Sequence, residues 1–179
     1  MIKMPNDEGD NTAMAPLIPI KQIKNVGLQG ALRLAGELAD ILKSGDVVAL
    51  SGDLGSGKSH LARALIRAAA QDQTYEVPSP TFTLLQPYDA LLQDGGAIWH
   101  YDLYRLEQPE DITELGFEQG LSVAASLIEW PEKMGSFLPE NSLVITIKAG
   151  KTNDQGEGSR TYGFFGNEEW QDRLSPLSL

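Results

Sequence analysis

Residues 52–59, Gly52-Asp53-Leu54-Gly55-Ser56-Gly57-Lys58-Ser59, have the types and spacing needed to hold a nucleoside triphosphate. Such a ligand brings several negative charges that must be gripped without a covalent bond. Glycines let the backbone curl so that successive N–H groups point at phosphate oxygens. Lys58 supplies a mobile positive charge for the β- and γ-phosphates, and Ser59 a small hydroxyl for the accompanying Mg²⁺. Hydrolysis also requires an acidic residue for the metal, usually at the end of a neighbouring strand, and something to position water. Asp102 and Glu129 each close an apolar run of strand length and are the two candidates.

These residues need elements to position them. Val47-Val48-Ala49-Leu50 reads as the strand that feeds the loop, while Leu61, Ala62, Leu65, Ile66 and Ala69 recur at helical spacing from Lys58 onward. The unpaired amides and dipole of that helix start then lie where an anion is favoured. A helix over residues 28–43 puts Leu34, Leu38, Ile41 and Leu42 on one face, with Gly45 as its stop. Pro78 and Pro80 exclude helix over residues 77–84 and suggest an extended or edge segment. Residues 98–101 predict a strand ending at Asp102, with His100 and Asp102 on the same face. Pro109 starts a helix that stops at Gly116, and residues 123–128 form a strand ending at Glu129. A strand over 143–148, a polar loop over 151–159, a strand over about 160–165 and a short helix from Asn167 complete the chain.

From the loop's strand onward the order β, α, β, β, α, β, β, β predicts an α/β fold. It is a single three-layer domain of the phosphate-loop NTPase type, with a mixed central sheet and hairpins near the C-terminus. Residues 1–16 are polar and rich in breakers and read as a disordered leader, which leaves 17–179 as the domain.

Bulk composition narrows the function. The 179 residues suffice for one sizeable core, and 41% hydrophobic content fits a soluble globular chain. With no cysteine, disulfides and thiolate metal sites are excluded. No stretch reaches the roughly 18–20 apolar residues of a membrane span, and the start lacks a secretory signal's apolar core, so the cytoplasm is expected. Net charge is −11, and the lysines and arginines are scattered rather than gathered in a stripe. A chain of this kind is expected to reach nucleic acid through a protein partner rather than by gripping it directly. His60 and His100, the only histidines, read as packed or solvated residues rather than metal ligands. Trp99 and Tyr101 read as core and edge aromatics, and Arg105 either screens phosphate or forms a surface ion pair. Ser79 and Thr81 suit a rigid turn, with hydroxyls that can also reach a metal or γ-phosphate.

Five motifs taken in order resemble one family. They are the loop 52–59; Ser79-Pro80-Thr81-Phe82-Thr83-Leu84; His100-Tyr101-Asp102-Leu103-Tyr104-Arg105-Leu106; Glu114-Leu115-Gly116; and Ile128-Glu129-Trp130-Pro131-Glu132. Together, across about residues 28–165, they are similar to TsaE (also called YjeE), the bacterial ATPase family of tRNA threonylcarbamoyladenosine synthesis. The resemblance implies ATP and Mg²⁺ as ligands and the paired proteins TsaD and TsaB as partners, with tRNA met only through that complex. By motif it implies Lys58, Asp102 and Glu129 as catalytic residues and Ser59 and Glu129 as metal ligands. Nucleotide contacts would come from Asp53, Leu54, Gly55, Ser56, Gly57, Lys58, Ser59, His60, Thr81 and Trp130. Thr81 would lie in a switch-like segment, Asp102 near the γ-phosphate, and Trp130 beside the nucleotide.

Three positions depart from the family pattern. Ser59 stands where threonine is usual, Ala31 where many members carry a pocket threonine, and Gly158-Ser159-Arg160 where a Gly-Arg pair is expected. A small-molecule kinase would need a lid bearing several arginines, but those after the loop's helix are only Arg105, Arg160 and Arg173. A GTPase would need Asn-Lys-x-Asp and Asp-x-x-Gly strings, which do not occur. A non-catalytic module that binds ATP to regulate docking stays open on these residues.

Overall fold

The computed structural model of the protein describes residues 17–152 and 158–177. One seven-stranded sheet organises it. The strands are β1 (Ile18–Val26), β2 (Val47–Ser51), β3 (Leu85–Tyr88), β4 (Ala97–Asp102), β5 (Ala124–Glu129), β6 (Leu143–Thr152) and β7 (Gly158–Gly166). Their spatial order is β1-β7-β6-β2-β5-β4-β3. The central pairs β6–β2, β2–β5 and β5–β4 are parallel; β1–β7, β7–β6 and β4–β3 are antiparallel. The expected mixed sheet is present, with a parallel centre and antiparallel flanks.

Parallel strands must be covered on both faces, which is why β5 is buried at all six positions and reads as an unbroken run, Ala-Ala-Ser-Leu-Ile-Glu. On one face lie α1 (Leu28–Ile41) and α2 (Lys58–Ala69). Leu34, Leu38, Leu61, Leu65 and Ile66 pack there against Val48, Leu50, Ile98 and Leu127. The other face buries Val47, Ala49, Tyr101 and Ile128 beneath Leu103, Leu106, Ile112, Phe117 and Met134, which come from short helical turns and α3 (Phe117–Gly120). These are the three layers.

Four segments differ from the sequence expectation. β1 pairs with β7 although nothing over 18–26 reads as a clean strand. Register shifts at Pro19/Lys21 and Ile23/Val26 break the period-two alternation that would announce it. Residues 77–84 form no strand and turn at 81–83, and the edge strand begins at Leu85, carrying Pro87. The helix expected from Pro109 is a 3₁₀ turn over Pro109–Thr113, initiated by reciprocal bonds between Gln108 and Asp111. Of the polar loop expected over 151–159, Lys151 and Thr152 extend β6 and Gly158 opens β7. Its remaining residues, like the leader 1–16, lie outside the described residues.

The C-terminal helix α4 (Glu168–Leu174) locks the start of β2. Arg173 pairs through both Nη atoms with Asp46 and donates to the carbonyl of Ile41 at 2.6 Å. Asp46 is buried, so removing the guanidinium leaves a carboxylate with only the Lys43 amide as partner among the described residues. Arg173→Ala should therefore cost about 3 kcal/mol and lower the thermal midpoint by roughly 6–12 °C. A calorimetric scan showing no shift would refute this role.

Candidate functional site

Three parallel strands, β2, β5 and β4, end at one edge of the sheet. Register places Leu50 beside Glu129 and Glu129 beside Asp102. The loop expected to bind phosphate leaves β2 and turns into α2 at that same edge, where open α/β sheets hold ligands. Asp102 does not neighbour the loop's strand directly, because β5 lies between them.

The loop's curl depends on glycine at two places. Gly52 has φ +152°, and a Cβ there would lie 2.4 Å from the Ile147 carbonyl and 2.9 Å from Ser56 Oγ. Gly57 has φ +111°, with Arg160 Nε 3.3 Å from where a Cβ would stand. The backbone at Gly57 hands over to α2 in the left-handed region, so the first turn of the helix opens into the loop.

Within that curl Lys58 is 4% exposed, and its Nζ donates to the carbonyls of Gly52 at 2.7 Å and Asp53 at 3.0 Å. The Trp130 ring lies across it, 3.6 Å from Nζ to the ring centroid. Burial pulls the lysine pKa below its ordinary value, against the opposing charges of Glu129, Glu132, Asp102 and Asp53. Trp130 holds this place at φ 60°, ψ 50°, a left-handed conformation that costs a tryptophan about 1–3 kcal/mol. Its ring also meets Tyr104, at 5.1 Å between centroids.

The acids are bound into the same constellation. Ser59 Oγ donates to Glu129 Oε2 at 2.6 Å, and His100 Nε2 lies 2.9 Å from Glu129 Oε1. Asp102 accepts from Thr81 Oγ1 at 2.7 Å and from the Tyr104 amide at 3.2 Å. Ser79 Oγ is 3.0 Å from Thr81 Oγ1. Lys58, Ser59, Thr81, Asp102, Glu129 and Trp130 therefore converge.

Asp53, Leu54 and Gly55 form the exposed outer rim of the loop, and Leu54 is 78% exposed. His60, the third residue of α2, lines a cleft with Val26, Leu28, Ala31, Arg160 and Tyr162. Partial desolvation, then the positive charges of Arg63, Arg160 and Arg67, lower its pKa.

Three features were not readable as site residues. Arg160, of uncertain placement in its Gly-Ser-Arg string, reaches from β7 to donate Nε to the Ser56 carbonyl at 2.7 Å. Val26 and Tyr162 join the cleft only because β1 and β7 pair beside α1. His100 touches Glu129, which alternation alone hinted at, since residues 100, 102, 127 and 129 share a sheet face.

The donor set fits a phosphate and a small divalent cation. Ser56 Oγ is buried without a hydrogen-bond partner among the described residues. At Gly52 the curl leaves no room for a side chain, and one hydroxyl plus one carboxylate suits an ion such as Mg²⁺ that keeps water and phosphate as its other ligands.

A glycine loop between a parallel strand and a helix, with a carboxylate from the adjacent strand on the helix's first hydroxyl, defines a phosphate-loop nucleotide-binding protein. The family model described as threonylcarbamoyl adenosine biosynthesis protein TsaE matches residues 28–160. The chain belongs to that family. Relatives named tRNA threonylcarbamoyladenosine biosynthesis protein TsaE include one from Rickettsia conorii, 44% identical over 117 residues, which are 65% of each chain. Another, from Rickettsia felis, is 48% identical over 65% of this chain and 66% of its own. A third, from Haemophilus influenzae, is 35% identical over 65% of this chain and 74% of its own. The chain thus spans just under two thirds of the length of the two rickettsial relatives. The fold is that of Bacillus subtilis YdiB, a crystal structure at TM-score 0.64 and 24% identity covering 90% of this chain and 96% of that one.

Gly52→Ala should disrupt the loop, because its Cβ meets backbone rather than a movable side chain. We expect loss of nucleotide binding together with about 1–3 kcal/mol of destabilisation, read by calorimetric titration and a melting curve. Wild-type affinity in this variant would refute the loop geometry.

Proposed function

We propose that this chain is a Mg²⁺-dependent ATPase acting with TsaD and TsaB in forming N6-threonylcarbamoyladenosine at position 37 of tRNAs that read codons beginning with A. The carrying observation is the 2.6 Å bond between Ser59 Oγ and Glu129 Oε2, which joins the phosphate loop to an acid from the next strand. Residues 17–179 act as one domain in this reading, and the protein is expected in the cytoplasm, where tRNA is modified. Among the described residues no helix is long and apolar enough to cross a membrane.

The present contacts support a part for each residue. Lys58 exchanges the carbonyls of Gly52 and Asp53 for β- and γ-phosphate oxygens. The loop amides of residues 53–58 and the start of α2 face the phosphate chain. Ser59 and Glu129 hold the cation, which when bound offsets phosphate charge as the terminal phosphoryl group leaves. Asp102, already carrying Thr81, keeps the 79–84 segment against the γ-phosphate side. Trp130 covers Lys58 and limits water at the site, and the cleft beside Ala31, His60 and Tyr162 takes the base.

Two features support a partner-dependent role. The exposed apolar side chains Leu54, in the phosphate loop, and Phe82, next to Thr81, stand where a docking protein would reach them. The −11 net charge, without a basic stripe, argues for meeting tRNA through the complex.

ATP hydrolysis by the purified chain, alone and with TsaD–TsaB, tests the proposal. Marked stimulation by the pair is expected. Stoichiometric nucleotide binding without hydrolysis in either condition would instead establish a docking module, and absence of binding would overturn the assignment. Lys58→Ala should abolish turnover. Glu129→Ala should raise the Mg²⁺ requirement while leaving metal-free ATP affinity near wild type, and an unchanged Mg²⁺ titration would remove Glu129 from the metal site.

A further inference from the structure

Glu129 is buried to 1% exposure, and its two carboxylate oxygens have different partners. Oε2 takes the Ser59 hydroxyl at the start of α2, and Oε1 faces His100 Nε2 at 2.9 Å in the sheet interior. We propose that His100 is a positioning residue for the metal site: it anchors Glu129 Oε1 so that Oε2 alone is presented to Ser59 and the cation. The inference rests on the phosphate-loop reading above and assigns the group that holds its acid in place.

The location of His100 argues for this use. It is fully buried, on the sheet face that also carries the apolar Ile98, Leu127 and Leu50. An aliphatic side chain would fill that space without the penalty of desolvating an imidazole. Parallel register sets His100 opposite Leu127 and Asp102 opposite Glu129, so the ring lies one step diagonal to the carboxylate. A carboxylate accepts, so Nε2 carries the proton. The other ring nitrogen, Nδ1, is buried without a hydrogen-bond partner among the described residues, so the ring's polar contact is the one to Glu129.

The terminal torsion of a glutamate is soft. Held at Oε2 only, the carboxylate can swing away from Ser59 to seek a partner for Oε1. Held at both oxygens it keeps one orientation before any ion arrives. Removing such an outer partner typically lowers metal affinity by about 10–100-fold.

Side-chain lengths supply a discriminating test. The amide nitrogen of glutamine stands the same number of bonds from Cα as His Nε2, whereas that of asparagine matches Nδ1, which has no partner to serve. In the full chain, Mg²⁺ would be titrated against binding of a fluorescent, non-hydrolysable ATP analogue, with affinity in EDTA and the melting temperature measured alongside. His100→Asn should raise the Mg²⁺ needed for half-maximal binding by about tenfold or more, with His100→Gln within roughly threefold of wild type. Affinity in EDTA should stay unchanged in both, and in a Glu129→Ala background His100→Asn should add no further Mg²⁺ dependence.

Equal Mg²⁺ requirements for wild type and His100→Asn would overturn the proposal. So would parallel losses in both variants that follow the melting temperature, since those denote packing alone. If His100→Asn does not fold, a tenfold rise in His100→Gln is sufficient to overturn it. Mg²⁺-dependent binding in the wild type separates these results from failure of the underlying reading, in which the wild type would show no such binding.

Discussion

The hydrogen bond from Ser59 to Glu129 ties two pieces of chain 70 residues apart into one chemical unit. Ser59 is set by α2, whose start is fixed by the glycine curl, and Glu129 by the end of β5. In the proposed reading a cation needs both. The bond therefore depends on β2 and β5 being adjacent and parallel, with Leu50 in register with Glu129. A slip of one residue would turn the carboxylate to the opposite face, among Tyr101 and Ile128. The heavy burial of β5 and the packing of α1 and α2 serve above all to hold that register.

Around this unit the molecule balances charge in little space. A buried lysine sits among four carboxylates that favour its charged form, while desolvation opposes it. The loop carbonyls and the Trp130 face satisfy the ammonium group where water is scarce. The strained backbone of Trp130, which the following Pro131 restricts further, is sustained by the ring's contacts with Lys58 and Tyr104. On the far side Arg160 reaches across from β7 to the loop, so the C-terminal strands also brace the phosphate site.

The antiparallel additions serve the site in a different way. β7 and β1 extend the sheet beyond β6 and form a wall of the cleft with Val26 and Tyr162, next to Ala31 and His60. Ala31 brings no hydroxyl to that wall, whose polar groups come from His60, Arg160 and Tyr162. Arg173 and Asp46 hold the opposite end of β2, away from the chemistry, where rigidity of the central strand is maintained without crowding the ligand edge.

Local chemistry made the phosphate loop, its strand and its helix legible, because glycine freedom, apolar runs and 3.6-residue spacing act over short distances. The same holds for Asp102 and Glu129 as strand ends, and for His100 and Asp102 sharing a face. β1 escaped because bulges break its alternation, and the 109–113 turn looked helical because a proline start does not distinguish 3₁₀ from α. Only tertiary structure decided that β5 lies between β2 and β4, that Arg160 reaches Ser56, and that the imidazole of His100 meets the carboxylate of Glu129. Those contacts depend on strand order and register, and these are set by burying both faces of one sheet at once, a condition on the whole chain that no short stretch of sequence contains.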